Sequence, residues 1–147
     1  MFLYAFIPPC LFGATVSCLV IETGLPAGGP KSQYSTMWEN NLMDVLFETG
    51  HIVSNGHMMR LDQKLQEGFP GEAERDFLEA RQNGMDYFLI AIIDQGSGTR
   101  TVSLRLFSTN SQKLIKEQIY ADNNSRSAKE ESDNIKKAIG LIAAQLI

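Results

Sequence analysis

The chain has 147 residues, 44% of them apolar, and a formal net charge of −4 at pH 7. This length and apolar content suit one domain with one sizeable core. Because the charge is negative and Lys and Arg form no cluster, neither nucleic acid nor anionic lipid is expected as a principal partner.

The amino-terminal segment, residues 1–18, contains no charged side chain. The Pro8–Pro9 pair and a glycine interrupt its apolar run, so a membrane-spanning helix is not expected. Three interpretations stay open: the remnant of a secretory signal that begins upstream, an intact but atypical signal, or an ordered apolar arm. Gly13–Ala14 and Val16–Cys18 are candidate processing sites, and the stretch Thr15–Cys18 approaches a lipoprotein box. Membrane association is expected only through this segment.

Cys10 and Cys18 are the only cysteines in the sequence and lie eight positions apart. This spacing matches no zinc motif, and no second pair is available to complete a tetrahedral site. Two interpretations stay open. Either both are small apolar residues in or before a strand, or they form a disulfide, which requires that both remain in an exported mature chain.

The stretch LVIETGLPAGGPKSQYS, residues 19–35, leads from an apolar strand through a glycine-rich turn into a helical pattern. Gly24 and Gly29 have the separation found in a phosphate-binding loop. Pro30, however, stands between Gly29 and Lys31, removes a backbone N–H from the cradle and moves the lysine out of register. The stretch is therefore predicted to be a connection that binds no nucleotide, and no other cofactor is predicted.

The first helix is predicted from apolar side chains that recur with helical spacing. The positions of this pattern are Trp38, Leu42, Val45, Leu46 and Thr49. Ser35 or Thr36 is expected to cap the start of the helix, and Gly50 to take the left-handed conformation after its end. Trp38 is expected to pack in the core, with an interface anchor as the alternative.

A short strand and a second helix come next. Residues 51–54 favour a strand that the Asn55–Gly56 turn ends. Residues 57–69 give no clear pattern. A helix is then predicted to begin at Gly71–Glu72 and to end before Gly84.

Three strands follow one another at residues 87–93, 101–107 and 113–120. The first is almost continuously apolar, which is typical of a strand covered on both faces. In the second, apolar and polar side chains alternate, which predicts a half-buried strand. Its polar side, expected to face outward, comprises Thr101, Ser103 and Arg105.

The last helix is predicted from the capping-box spacing of Ser127 and Glu130 and from an apolar stripe. The stripe consists of Ile135, Ala138, Ile139, Ile142, Ala143 and Leu146. Because the stripe is regular, this helix is expected to close the core.

The predicted element order is thus β-α-β-α-β-β-β-α. Two helical crossovers favour parallel pairing among the first three strands, and two short turns favour an antiparallel meander among the last three. An α/β fold follows, with a single mixed sheet of about five strands and helices packed against it. The domain is expected to span residues 16–147.

Two stretches carry a resemblance to known proteins. Asn83–Ile90, NGMDYFLI, leads into a buried strand, and Val102–Phe107, VSLRLF, contains an Arg-Leu pair. With the element order, they resemble the small envelope domains in the amino-terminal part of TolB, in the penicillin-binding-protein activator LpoB and in CsgG-like proteins. In that group a G-A-D-Y type entry precedes a hairpin with an R-L pair. The turn after the first strand, Glu22–Leu25, differs from the Pro-Phe-x-Asn-like turn common in the group.

The resemblance implies a periplasmic or outer-membrane-associated accessory module that docks an envelope protein, and not an enzyme. The predicted partner-binding residues are Ser103 and Arg105. A direct search for chemistry agrees, because no G-x-S-x-G motif occurs and the spacing of His51 and His57 does not place two imidazoles on one helical face. No catalytic residue and no metal site is predicted. The alternative is a small-ligand-binding α/β domain, or a small enzyme with an unrecognised site.

Overall fold

In the part of the chain that the structure describes, six strands and three α-helices follow the predicted order, with one short strand added. The structure is a computed structural model and describes residues 13–24, 32–55, 58–61, 65, 67–95, 100–121 and 127–146. The strands are β1 (Thr15–Thr23), β2 (Ile52–Asn55), β3 (Met59–Leu61), β4 (Tyr87–Asp94), β5 (Thr101–Ser108) and β6 (Leu114–Ala121). The helices are α1 (Gln33–Glu48), α2 (Glu74–Gln82) and α3 (Ala128–Ala143), and a 3-10 turn at Gly71–Ala73 precedes α2.

The six described strands form one mixed sheet. β1 runs parallel to β4 on one side and parallel to β2 and then β3 on its other side. β4, β5 and β6 form an antiparallel meander, with β6 at the edge of the sheet. The predicted fold class is confirmed, and the pairing follows from the connections, because a helical crossover returns the chain in the same direction and a short turn reverses it.

Helices cover both faces of the sheet, which explains the continuous apolar run of β4. On one face, α1 and α3 build a core that contains Trp38, Ile139 and Ile142. On the other face, α2 places Phe77 against Phe88 of β4. Trp38, Ile139 and Ile142 have no exposed surface. Core packing of Trp38 and the apolar stripe of the last helix are therefore both confirmed.

The start of α1 lies earlier than the sequence pattern indicated. Ser32, and not Ser35 or Thr36, is its N-cap, since the Ser32 Oγ accepts a hydrogen bond from the Ser35 backbone N–H at 3.1 Å. The apolar spacing located the interior of the helix but carried no information about its first turn. At α3, the predicted cap is confirmed, because the Ser127 Oγ accepts from the Glu130 backbone N–H at 3.3 Å.

Residues 13 and 14 lie against the turn that joins α1 to β2. The Ala14 backbone N–H donates to the His51 Nδ1 at 3.0 Å, and the Ala14 carbonyl accepts from the Ile52 N–H at 3.0 Å. A Cβ at Gly13 would lie 2.0 Å from the Gly50 carbonyl oxygen, so only glycine allows this approach. The segment before β1 is therefore fixed to the domain from Gly13 onward.

The stretch that resembles a lipoprotein box, Thr15–Cys18, forms the first half of β1. Its residues pair with β2 and, from Val16 onward, also with β4. Cys18 lies in the core as a free thiol. A free Cys18 in a strand fits the interpretation of a small apolar residue and not the disulfide. Cys10 lies outside the described residues, and the three interpretations of the amino-terminal segment stay predictions.

We expect the mature protein to retain residues 13–18. Cleavage before Cys18 would remove three residues from β1, the strand between β2 and β4. Because Cys18 is only 2% exposed, a lipid on its thiol would have to enter the core. Intact-mass spectrometry of the protein purified from its native cells identifies the first residue. A mature chain that begins at Cys18 would contradict this expectation.

Candidate functional site

The carboxylate of Glu22 lies at the amino end of α1, where a phosphate-binding loop would hold its anion. The Ser32 hydroxyl donates to Glu22 Oε1 at 2.6 Å, and the Ser32 backbone N–H donates to the same oxygen at 3.3 Å. A helix amino terminus favours negative charge, because its backbone N–H groups are unpaired and its dipole is positive there. In this protein the Glu22 carboxylate supplies that negative charge.

Arg60 of β3 completes the surroundings of Glu22. Its Nε and its Nη2 each lie 2.7 Å from Glu22 Oε2. The Glu22 side chain is 1% exposed and that of Arg60 is 14% exposed, so water screens the pair little. The ion pair connects the end of β1 to β3, and the hydrogen bonds from Ser32 connect Glu22 to α1.

Burial raises the pKa of Glu22, but hydrogen bonds from Ser32, Ser35 and Arg60 outweigh burial and hold that pKa below its ordinary value of 4.5. Glu22 is therefore ionised at neutral pH. Residues 25–31 lie outside the described part of the chain, so the predicted absence of a bound nucleotide stays a prediction. The occupied amino end of α1 supports it, because a phosphate there would meet a carboxylate.

Arg105, one of the two predicted partner-binding residues, does not face solvent. It lies on the α2 side of the sheet, opposite the apolar side of β5, as the alternation indicated, but only 6% of its surface is exposed. Its Nη1 donates to the Gly68 carbonyl at 2.8 Å, and its Nε lies 3.3 Å from Ser103 Oγ and from Glu117 Oε2. The expectation of an exposed Arg105 was wrong because the segment before α2 covers this part of the sheet.

A pocket of about 310 Å³ opens on the same face of the sheet, at the carboxyl ends of β1 and β4. We call it the strand-end pocket. It is lined by Thr23, Leu65, Glu67, Ile92, Asp94, Thr101, Ser103, Arg105, Glu117 and Ile119. The sheet register explains the convergence, because Thr23 pairs with Asp94 and Asp94 pairs with Thr101. Ser103 is thus a pocket residue as well as a half-buried residue of β5.

Edge strand β6 presents large apolar side chains to solvent. Leu114, Ile115 and Ile119 are 46%, 43% and 68% exposed. β6 pairs with β5 on one side, and the described residues provide no partner strand on its other side. An exposed edge with apolar side chains is a surface that can pair with another chain.

The Cys18 thiol and the His51 imidazole are both engaged within the fold. Burial raises the pKa of the Cys18 thiol to about 12, so the thiolate is not formed at neutral pH. His51 uses Nδ1 to accept the Ala14 N–H, and His57 lies outside the described residues. No group of three or more His, Cys, Asp or Glu side chains in the described ranges is placed to hold a metal ion.

Comparisons with known proteins give similarity at the level of the fold. No family model matches the sequence, and no curated protein matches it. The PelC dodecamer from Paraburkholderia phytofirmans is similar with a TM-score of 0.52 and 15% identity, over 90% of this chain and 86% of that chain. The LpoB C-terminal domain from Escherichia coli is similar with a TM-score of 0.51 and 13% identity, over 79% of this chain and 87% of that chain.

The predicted resemblance is therefore confirmed for the fold, which this chain shares with the LpoB C-terminal domain. At these identities the similarity carries no information about individual functional residues. Among the described residues, no helix has the length and apolar composition needed to cross a membrane.

Proposed function

We propose that this protein is a non-catalytic accessory module of the bacterial cell envelope that docks a protein partner along β6. The single observation that carries the proposal is the open β6 edge with its exposed Leu114, Ile115 and Ile119. The fold shared with PelC and the LpoB C-terminal domain supports the envelope location and the accessory role.

The mode of docking that fits this edge is addition of an extended strand of the partner to β6. Main-chain hydrogen bonds would provide affinity, and the exposed Ile119 would select an apolar side chain on the partner strand. Ser103 pairs with Ile119 in the sheet and so belongs to the same surface. Arg105 is buried beneath this surface and stabilises it, because its Nε forms an ion pair with Glu117 Oε2 of β6 at 3.3 Å.

We propose a different protein as the occupant, and a second copy of this chain is the other outcome of the test. Two copies of β6 related by a two-fold axis would form an antiparallel pair in which residues on the same face oppose one another. Lys116 and Glu117 lie on opposite faces of β6, so they could not pair across that axis. A pairing centred on Lys116 or on Glu117 would place like charges opposite each other, which is destabilising, whereas a pairing centred on Ile119 would not. The similar protein PelC forms a dodecamer, so self-association is tested as well. The mass of the crosslinked product distinguishes a different protein from a second copy of this chain.

Photocrosslinking in the native cells tests the proposal. A photoreactive residue at Ile119 is expected to capture one envelope protein, because this side chain is 68% exposed beside the open edge. The same residue at Leu141 is the matched control, since Leu141 is 56% exposed but lies on α3. Purification and mass spectrometry of the product identify the partner.

Three results would contradict the proposal. Equal crosslinking from positions 119 and 141 would show that β6 is not a specific surface. A product with twice the mass of the chain would show that the partner is a second copy and not a different protein. Fractionation of the mature chain into the cytoplasm, with no crosslinked envelope protein, would overturn the envelope role and favour the alternative of a small-ligand-binding domain.

A further inference from the structure

The sheet has a second open edge at β2, at the end of the strand order opposite to β6. β2 pairs with β1, and the described residues provide no partner strand on its outer side. Ile52 and Ser54 of β2 are exposed and lie opposite Thr15 and Ser17 of β1. Ser17 is two residues before Leu19, which belongs to the core beneath α2. Because alternate residues of a strand share a face, Ile52 and Ser54 lie on the α2 side of the sheet.

A groove separates β2 from α2 on this side of the sheet, and we call it the β2–α2 groove. Its cavity has a volume of about 160 Å³. The polar side chains that line it are Asp76, Glu79 and Asn83 of α2 or its carboxyl end, and Ser17, Ser54 and Asn55 of the sheet. The three positions of the helix share one face by their spacing, so a polar wall of α2 faces the open edge strand.

The β2–α2 groove carries negative charge that the fold does not neutralise. Asp76 and Glu79 lie one helical turn apart on the same face of α2. In the part of the chain that the structure describes, neither carboxylate forms a hydrogen bond or an ion pair. Arg75 and Arg81 belong to the same helix but do not line the groove. The serine hydroxyls and the asparagine carbonyl oxygens can also accept hydrogen bonds, so the lining is complementary to a cation with several N–H donors.

A guanidinium is the cation that suits this lining. Its five N–H donors form a planar fork, whereas an ammonium has three donors at one point. The acceptors are spread along the groove, from the carboxylates of Asp76 and Glu79 to the amide of Asn55. No group of three or more His, Cys, Asp or Glu side chains in the described ranges is placed to hold a metal ion. A strand added to β2 would lie about 4.8 Å beyond it, a distance that an arginine side chain spans.

We propose that β2 and the β2–α2 groove bind an extended segment of another protein that carries an arginine. The segment adds to β2 through main-chain hydrogen bonds, and its arginine lies between Asp76 and Glu79. An apolar side chain two residues away on the segment packs on Ile52, which is 61% exposed.

A second copy of this chain does not supply the arginine from an open edge of its own sheet. The open edge strands are β2 and β6, and neither contains an arginine. The proposed surface also shares no residue with β6, so docking at either edge can fail while the other holds.

A titration of the isotope-labelled protein, followed by NMR, tests the groove. Nα-acetyl-arginine methylamide is expected to shift the backbone amide signals of Ser54, Asp76 and Glu79 in a saturable way. Nα-acetyl-citrulline methylamide has the same shape without the charge. We expect it to bind about tenfold more weakly, because hydrogen bonds between charged groups are stronger than neutral ones.

Two variants and one control connect binding to the carboxylates. Asp76→Asn and Glu79→Gln are each expected to weaken binding of the arginine derivative severalfold and to keep the circular-dichroism spectrum of the parent. Glu72→Gln is the matched control, because Glu72 is exposed on the 3-10 turn before α2 and does not line the groove. This control should bind the arginine derivative like the parent.

Photocrosslinking from position 52 in the native cells tests the occupant. A photoreactive residue there is expected to capture a segment that contains an arginine, identified by mass spectrometry of the crosslinked peptide. The double variant Asp76→Asn, Glu79→Gln should abolish this capture and leave capture from position 119 unchanged.

Four results would overturn the proposal. They are no saturable shift with the arginine derivative, equal binding of the citrulline derivative, parent-like binding by both single variants, and capture from position 52 that the double variant leaves unchanged. A captured product with twice the mass of the chain would likewise overturn it, since the occupant would then be a second copy.

Discussion

Arg60→Met is expected to lower the free energy of unfolding by about 3–5 kcal/mol at pH 7, because it leaves the buried Glu22 carboxylate without its cation. Both guanidinium contacts to Glu22 are 2.7 Å long and almost inaccessible to water. Urea denaturation followed by circular dichroism measures the change. Arg75→Met is the matched control, since Arg75 lies exposed on α2 and its replacement should change stability by less than about 0.5 kcal/mol.

The double variant Glu22→Met, Arg60→Met is expected to recover part of the loss. Removing both charges leaves no isolated ion in the interior, and an apolar pair of similar volume is often as stable as a buried ion pair. If Arg60→Met unfolds at the same urea concentration as Arg75→Met, the ion pair contributes nothing and this interpretation of Glu22 is wrong.

The same network predicts a dependence of stability on pH. Glu22 has a pKa below its ordinary value of 4.5 in the folded state, so its contribution to stability is present above pH 4.5 and is lost as the pH falls through the folded value. Glu22→Gln cannot titrate, so its unfolding free energy should fall less steeply than that of the parent between about pH 5 and pH 2. Parallel acid slopes for the two proteins would contradict the assignment.

Ile139→Ala and Ile142→Ala are each expected to lower the free energy of unfolding by about 2–5 kcal/mol, because each leaves a cavity between α3 and the sheet. Both side chains have no exposed surface and belong to the core that contains Trp38. Leu141→Ala, on the same helix but 56% exposed, is the matched control and should cost less than about 1 kcal/mol.

Chemical denaturation of the three variants measures these differences under one set of conditions. Midpoints for Ile139→Ala and Ile142→Ala that equal the midpoint for Leu141→Ala would show that α3 does not close the core. A loss confined to one of the two isoleucines would instead show that only part of the helix packs on the sheet.

Local patterns were sufficient for most of the architecture. The 3.6-residue spacing of Ile135, Ile139 and Ile142 predicted α3, and the continuous apolar run at residues 87–93 predicted a strand covered on both faces. These signals are local, because a helix or strand that buries one or both faces must repeat its apolar residues with its own period. The short strand β3 was missed because three residues are too few to show a period.

The candidate sites depended on contacts between residues far apart in the chain. The sequence pattern placed Glu22 only in the turn after the first strand, and its partner Arg60 lies 38 positions away in a stretch without a pattern. The alternation of β5 correctly separated its two sides, but it could not show that the segment at Gly68 covers Arg105, 37 positions later.

The sequence by itself determined the element order, the mixed sheet and the core faces of the helices, because these follow from local periodicity and from the lengths of the connections. Only the tertiary structure decided which polar residues meet. Thr23, Asp94 and Thr101 come together because three strands align their ends in one register. The same register leaves Ile119 exposed at an open edge. Side-chain period assigns a residue to a face, but only the packing of distant segments determines whether that face is covered, open or shaped into a pocket.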